Sequence, residues 1–272
     1  MNIEGVGAQL YVWSQVLGKE GKSVEGNFDG VLRDVRDAGL DGAEWNLSAA
    51  GDPECAASLK RAYDAQGLRI PSLYSGGSYH IREDAARTVA ETLRLAAFAA
   101  EIGCPAVTAN PNPIGRDKTD DELRIQAEHL NRLGEGLRNL GMELFIHNHD
   151  PEIRNHAREF RSNLALTDPN LVHFCVDTHW VYRGGEDPVA LLREAVHRTR
   201  SLHLRNSVNG VWSESFGDGD IDHRQIRQVL EEGNFRGWLL LELAYEGGTV
   251  LTRSLTENVR LAGAYLREIF TC

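Results

Sequence analysis

The run His147-Asn148-His149-Asp150, with Glu152 just beyond, sets imidazoles and carboxylates side by side at the end of one short apolar segment. Asp177-Thr178-His179-Trp180 ends the next such segment, and His203 with Arg205, then Glu242, and earlier Glu44, occupy the ends of others. Imidazole nitrogens and carboxylate oxygens together suit one divalent ion of the Mn, Co, Zn or Fe(II) type, and suit Mg or Ca less well. They are also the groups that take and return protons near neutral pH. A lone His of this kind is ordinarily a hydrogen-bonded core residue. Several such groups, each at the end of a different segment, argue for one site, provided the fold brings those ends together.

The elements that must do this alternate along the chain. Short apolar runs at residues 7–13, 42–46, 70–74, 106–110, 143–149, 172–177, 201–205 and 238–243 read as strands. Helical periodicity fills segments between them, at 28–38, 85–101, 120–140, 188–196, 224–232 and 251–267; Leu93, Ala96, Ala97 and Ala100 form one apolar stripe. Eight β-then-α units without a linker or low-complexity break predict an α/β protein, a single (β/α)8 TIM barrel forming one domain over residues 1–272. A doubly wound sheet is the alternative; the count of eight and the lack of GxGxxG after the first strand weigh against it. Glycines 39, 67, 103, 141 and 237 fall just before strands, where a left-handed residue ends a helix.

Alternation along a strand puts His147 and His149 on one face, and His203 and Arg205 on one face. Gln9 and Tyr11 would point inward from the first strand and meet a substrate. Trp13 and Trp180 read either as an apolar wall or as packing. His80 reads as a substrate contact from the strand-three loop or, with slightly more weight, as a solvated loop residue; residues 116–128 read as a solvated helix start, and Asp222 as the cap of a helix opening near His223.

Lys and Arg total 29 against 40 Asp and Glu, a formal charge of −11, which argues against a nucleic-acid partner. The N-terminal segment lacks a basic flank, and no apolar run approaches the length of a membrane span, so neither a signal peptide nor a membrane partner is expected. Cys55, Cys104, Cys175 and Cys272 are scattered without a CxxC pair, as in a reduced, cytoplasmic protein.

Residues 7–13 (GAQLYVW), 147–152 (HNHDPE), 176–188 (VDTHWVYRGGEDP), 201–206 (SLHLRN), 217–222 (GDGDID) and 237–242 (GWLLLE) resemble the xylose-isomerase-like sugar isomerase/epimerase superfamily, in order and over almost the whole chain. The resemblance implies one divalent metal held by His147, Asp177, His203 and Glu242, with His149 or Glu152 as other candidates for the strand-five ligand. The chain departs from the epimerase pattern where His147 stands for a carboxylate, where Trp180 stands for a frequent His with His179 shifted by one, and where Arg205-Asn206 replaces Lys-Asp. The HNHDPE form is similar to a branch with inosose dehydratase-like and ketosugar-lyase-like members.

Such a site implies proton abstraction beside the carbonyl of a keto-sugar and a metal-stabilised enediolate. His149, Glu152 and Glu242 are the acid/base candidates, and Gln9, Tyr11, Glu44, Trp180 and Arg205 the substrate contacts. Isomerase or epimerase chemistry on a ketose is the superfamily default, with elimination by a dehydratase or lyase the close alternative and abasic-site endonuclease chemistry a distant one. The partner expected is a small unphosphorylated carbohydrate; a homo-oligomer is compatible with everything read.

Overall fold

Each apolar segment is followed by a residue able to start a helix, and that punctuation sets the architecture. The computed structural model describes residues 1–271. The strands are β1 (Asn2–Gln9), β2 (Gly42–Asn46), β3 (Leu73–Gly77), β4 (Ala106–Pro111), β5 (Glu143–His147), β6 (Val172–Asp177), β7 (Thr199–Leu204) and β8 (Arg236–Leu241). They pair in parallel in the order β1-β8-β7-β6-β5-β4-β3-β2 and close into a barrel, as predicted. Strands covered on both faces can be almost wholly apolar, and β4, β6 and β7 are buried along nearly their full length.

Helix starts are pinned by side chains standing just after the loops. Asp52 accepts the Cys55 N–H and precedes Pro53. Thr119 and Glu122 cap each other reciprocally, and Asp177, Asp187, Asp222 and Ser254 each accept a first-turn N–H. Such caps stabilise a helix end by about 1 kcal/mol each. Gly39, Gly67, Gly103 and Gly141 are left-handed before their strands. Gly237 instead lies within β8, where a Cβ would fall 1.8 Å from Arg200 O.

β7 and β8 begin and end one or two residues before the segments read from the sequence, and three other strands differ with more consequence. β1 runs from Asn2 to Gln9, and Tyr11–Lys19 is helical, because Gln9 Oε1 takes the Tyr11 N–H at 2.6 Å and turns the chain. β3 starts at Leu73, since Pro71 has no N–H for a ladder. β5 ends at His147, and His149 becomes the cap of the helix Asp150–Leu166. After β7 a short hairpin pairs Ser207–Val208 with Val211–Trp212 across Asn209-Gly210, both at positive φ. Among the described residues, no helix is long and apolar enough to cross a membrane. Cys55, Cys104 and Cys175 are free thiols; Cys272 lies outside the described residues.

Candidate metal centre

Register brings the chemistry together. Asp177 on β6 stands beside His203 on β7, and His147 on β5 beside Cys175 on β6. Glu242 directly follows β8, its N–H on Leu204 O at 3.0 Å. Ligand-capable atoms of His147, Asp177, His203 and Glu242 all lie within 4.8 Å of one another. None of the four residues is more than 7% exposed.

His203 Nδ1 is 2.7 Å from Glu242 Oε2, and His203 Nε2 is 3.0 Å from Glu44 Oε2. Neither contact is aligned as a hydrogen bond, so these atoms, with His147 Nδ1, are buried without a hydrogen-bond partner. A buried polar atom left unpaired costs about 1–3 kcal/mol. Several of them turned toward one point, on two imidazoles and two carboxylates, are the donor set that a divalent transition ion would satisfy. The residues present therefore fit such an ion.

Charge in this volume is closely balanced. Burial drives the His147 pKa well below its ordinary value, reinforced by His203 and His149, so its ring is neutral and free to donate a lone pair. Burial also opposes a charged His203, but Cys175, Glu44 and Glu242 outweigh it and hold its pKa well above the usual value. Burial raises Asp177 to about 7 despite Arg205. Glu242 is held well below the carboxylate range, Arg205 and His203 overcoming its burial. Arg205 Nη2 lies 2.7 Å from Asp177 Oδ2, and Nη1 donates to Glu242 O at 3.0 Å.

Around the cluster stand groups that could handle protons and cover a ligand. The His149 ring is 4.7 Å from that of His147, and its Nδ1 is 3.1 Å from Asn110 Oδ1 at the end of β4. Burial lowers the His149 pKa, so it is a neutral base at neutral pH. Tyr74 packs edge-on to His147 at 5.7 Å. The Arg205 guanidinium lies 5.2 Å from the Trp180 ring and 4.9 Å from the Trp212 ring. Trp212 is placed by its hairpin: its Nε1 donates to His179 Nδ1 at 3.1 Å, and His179 Nε2 meets Ser207 Oγ at 2.8 Å. Asn206 ties the following loop with bonds to Gly217 O and Ile221 O, and Gly219 is required because a Cβ would fall 2.2 Å from Ser207 O.

The structure thus gathers His147, Asp177, His203, Glu242, His149, Trp180 and Arg205. The remaining candidates are held differently from the sequence reading. Tyr11 is 44% exposed at a helix start, not inward on a strand, and its phenol interacts electrostatically with Arg205. Gln9 spends its Oε1 capping that helix. Trp13 is core, with its Nε1 on Asp34, and forms no wall. Glu44 has no exposed surface and faces His203 from below. Glu152 is buried, its Oε2 on the His149 N–H; burial and Glu159 raise its pKa to about 8, so it is a neutral acid at pH 7. His80 is buried, not solvated, and residues 116–128 include buried Lys118, Leu123, Gln126 and Ala127. Asp222 caps its helix as read. Trp212, Asn110 and Tyr74 were missed; Asn209-Gly210 was the one signal, marking the hairpin that carries Trp212.

A family model described as a xylose isomerase-like TIM barrel matches residues 32–269. An inosose dehydratase of Clostridium botulinum (strain Alaska E43 / Type E3) is 26% identical over 249 residues, 80% of this chain and 82% of its own. One from Clostridium perfringens (strain 13 / Type A) is 32% identical over 141 residues, 45% of this chain and 48% of its own. A solved sugar phosphate isomerase/epimerase from Parabacteroides distasonis ATCC 8503 superposes with TM-score 0.76 at 22% identity, covering 96% of both chains. The D-psicose 3-epimerase of Clostridium cellulolyticum H10 superposes with TM-score 0.78 at 15% identity, over 98% of this chain and 100% of that one. The two structural likenesses are likenesses of fold.

Proposed function

The chain belongs to the xylose isomerase-like TIM-barrel family, and from that premise we propose that it is a divalent-metal-dependent dehydratase of an unphosphorylated keto-sugar or keto-polyol. The observation that carries a metal-dependent reaction is the buried group His147, Asp177, His203 and Glu242 with its unpartnered donor atoms. A bound ion would supply Lewis acidity to a carbonyl and its neighbouring oxygen.

His149 supports the choice of reaction. Its neutral ring, held by Asn110, is placed to accept the proton next to the carbonyl, giving an enediolate. The protonated His149 can then return that proton to a hydroxyl leaving from the next carbon. One proton and one hydroxide depart as water, and one residue serves both steps. The strand-five position, where the resemblance to two-base epimerases implies a carboxylate, holds the imidazole of His147. The dehydratase relatives, aligned over most of the chain, point the same way. This reverses the order in which the sequence alone ranks elimination and epimerisation.

Arg205 supports an unphosphorylated substrate. It is 2% exposed and already paired with Asp177 and Glu242, so it is not free to hold a phosphate. The partly exposed indoles of Trp180 and Trp212 suit the C–H face of a sugar or cyclitol ring.

The test is a screen of inososes and keto-sugars with added Mn, Co or Zn, products being read by mass and by NMR in D2O. Loss of one water with one metal ion per chain supports the reading. An isomer of equal mass would move it to isomerase/epimerase, and preferred turnover of phosphorylated sugars would overturn the substrate argument.

A further inference from the structure

We propose that Glu44 is a positioning residue that fixes which nitrogen of His203 is offered to the ion; this rests on reading the cluster as a metal centre. Glu44 comes from β2, across the barrel from β7, and has no exposed surface. A carboxylate in that position is costly unless its oxygens are used. Oε1 is used twice, by Ser72 Oγ at 2.6 Å and Thr108 Oγ1 at 2.7 Å. Those hydroxyls lie 3.0 Å from each other and come from the β3 and β4 segments, so the carboxylate is held from two sides. Oε2 is left over, and it faces His203 Nε2 at 3.0 Å.

The ring of His203 is consequently flanked by two different carboxylates. Nδ1 faces Glu242 Oε2, within the group that could hold the ion, and Nε2 faces Glu44, which lies outside that group. With an ion on Nδ1, the one proton left on the ring sits on Nε2, beside a carboxylate oxygen fixed 3.0 Å away. This is how a carboxylate behind a ligating histidine sets its tautomer and raises its basicity. A substrate contact would need exposure that Glu44 lacks. A plain core residue would have no reason to keep an unpaired oxygen against an imidazole.

Glu44→Gln, Thr108→Val and, as a control of equal burial, Gln126→Leu are compared with the unaltered protein after chelation. Zn2+ affinity is read by competition with a chromogenic chelator, and the protonation of the His203 ring nitrogens by 15N NMR of the Zn2+-loaded protein. Glu44→Gln is expected to loosen Zn2+ by about 10–100-fold and to move the His203 signals. Thr108→Val is expected to loosen it less, in the same direction, and Gln126→Leu to leave it unchanged. Wild-type affinity in Glu44→Gln, or equal loosening in Gln126→Leu, overturns the proposal while the metal reading stands. If Glu44→Gln does not fold, Thr108→Val decides, and unchanged affinity there overturns the proposal. An unaltered protein that takes up none of Zn, Mn or Co overturns both.

Discussion

Two buried polar clusters in this barrel are built on opposite terms. Between the loop after β4 and the helices that follow β4 and β5, Lys118 Nζ lies 2.6 Å from Glu159 Oε1, and Gln126 donates to Glu159 and to Asn163 at 2.9 Å each. Charge meets charge there and donor meets acceptor, with Gln126 Oε1 the one atom of the set left over. At the ends of β5, β7 and β8 the cluster of His147, His203 and Glu242 keeps several atoms unpaired, although burial is as deep. The first cluster is complete as protein and joins helices. The second is complete only with something added. Burial and polarity are common to both, so neither marks a site by itself; several unpaired ligand atoms turned toward one point do.

The sharpest way to break this contrast is to damage each cluster in turn. Asp177→Asn is nearly isosteric and keeps an oxygen for the Trp180 N–H, but its amide nitrogen meets Arg205 where Oδ2 accepted; Arg205 keeps Glu242, so stability should fall only in part. Losing a Lewis acid worth several kcal/mol should cut turnover by about a thousandfold. Lys118→Met should do the reverse: stability falls by about 3 kcal/mol because the buried Glu159 loses its cation and keeps only Gln126, while elemental analysis still finds one ion per chain. Denaturant titration and metal content check both. If Lys118→Met loses the ion, or Asp177→Asn keeps full turnover, the two clusters do not differ as argued.

His149 tests whether chemistry stops at the ligands. His149→Ala should lower kcat by about a hundredfold or more with metal content unchanged, since its nearest polar partner is Asn110 and not a member of the ligand group. Asn110→Ala should lower kcat less, by loosening the same ring. An unchanged kcat in His149→Ala would move the base elsewhere, with Glu242 next.

The barrel was legible because its strand-then-helix unit repeats eight times, and a repeat tolerates errors of several residues at a boundary. The site was legible where chemistry sits on strands: His147, Asp177 and His203 are fixed by the pleat and the ladder. It was illegible where position depends on a turn. Tyr11 and Trp13 read as inward strand residues because apolar spacing over seven residues cannot separate a strand from a helix start. Glu44 is spelled like a ligand, and only the hydroxyls of Ser72 and Thr108, distant in sequence, show where its second oxygen is free.

Trp212 belongs to the part that a turn decides. Removing its indole uncovers Arg205 and one face of the ligand space. Trp212→Ala is therefore expected to raise KM roughly tenfold, about 1.4 kcal/mol of contact, with kcat changed little. A kcat loss as large as that of Asp177→Asn would mean the indole acts on the ion ligands instead.

The smallest effect separates burial from function within one residue type. His223 is 1% exposed, stacked edge-on to Phe216 at 4.5 Å, and burial lowers its pKa to about 3. His147 is likewise pushed down by burial, but His223 lies outside the four-residue group. Its folded pKa is below the unfolded value near 6.5, so its contribution to stability is fully present above about 6.5. As pH falls from there toward 3 the unfolded chain takes up a proton that the folded chain refuses, and stability drops by up to about 1.4 kcal/mol per pH unit. His179, lowered to about 3, and His173, lowered to about 4, both by burial, act with the same sign. Asp177 and Glu152, raised to about 7 and about 8, act with the opposite sign between pH 6.5 and 4, so the slope of the unaltered protein is the difference between the two sets. His223→Phe should shift that slope by up to one proton's worth, toward less loss on acidification, without touching metal content or turnover at pH 7.5. Urea titrations at half-unit pH steps give the slopes. Equal slopes in the two proteins would mean that His223 charges freely in the folded state, and that its burial is less complete than the packing against Phe216 implies.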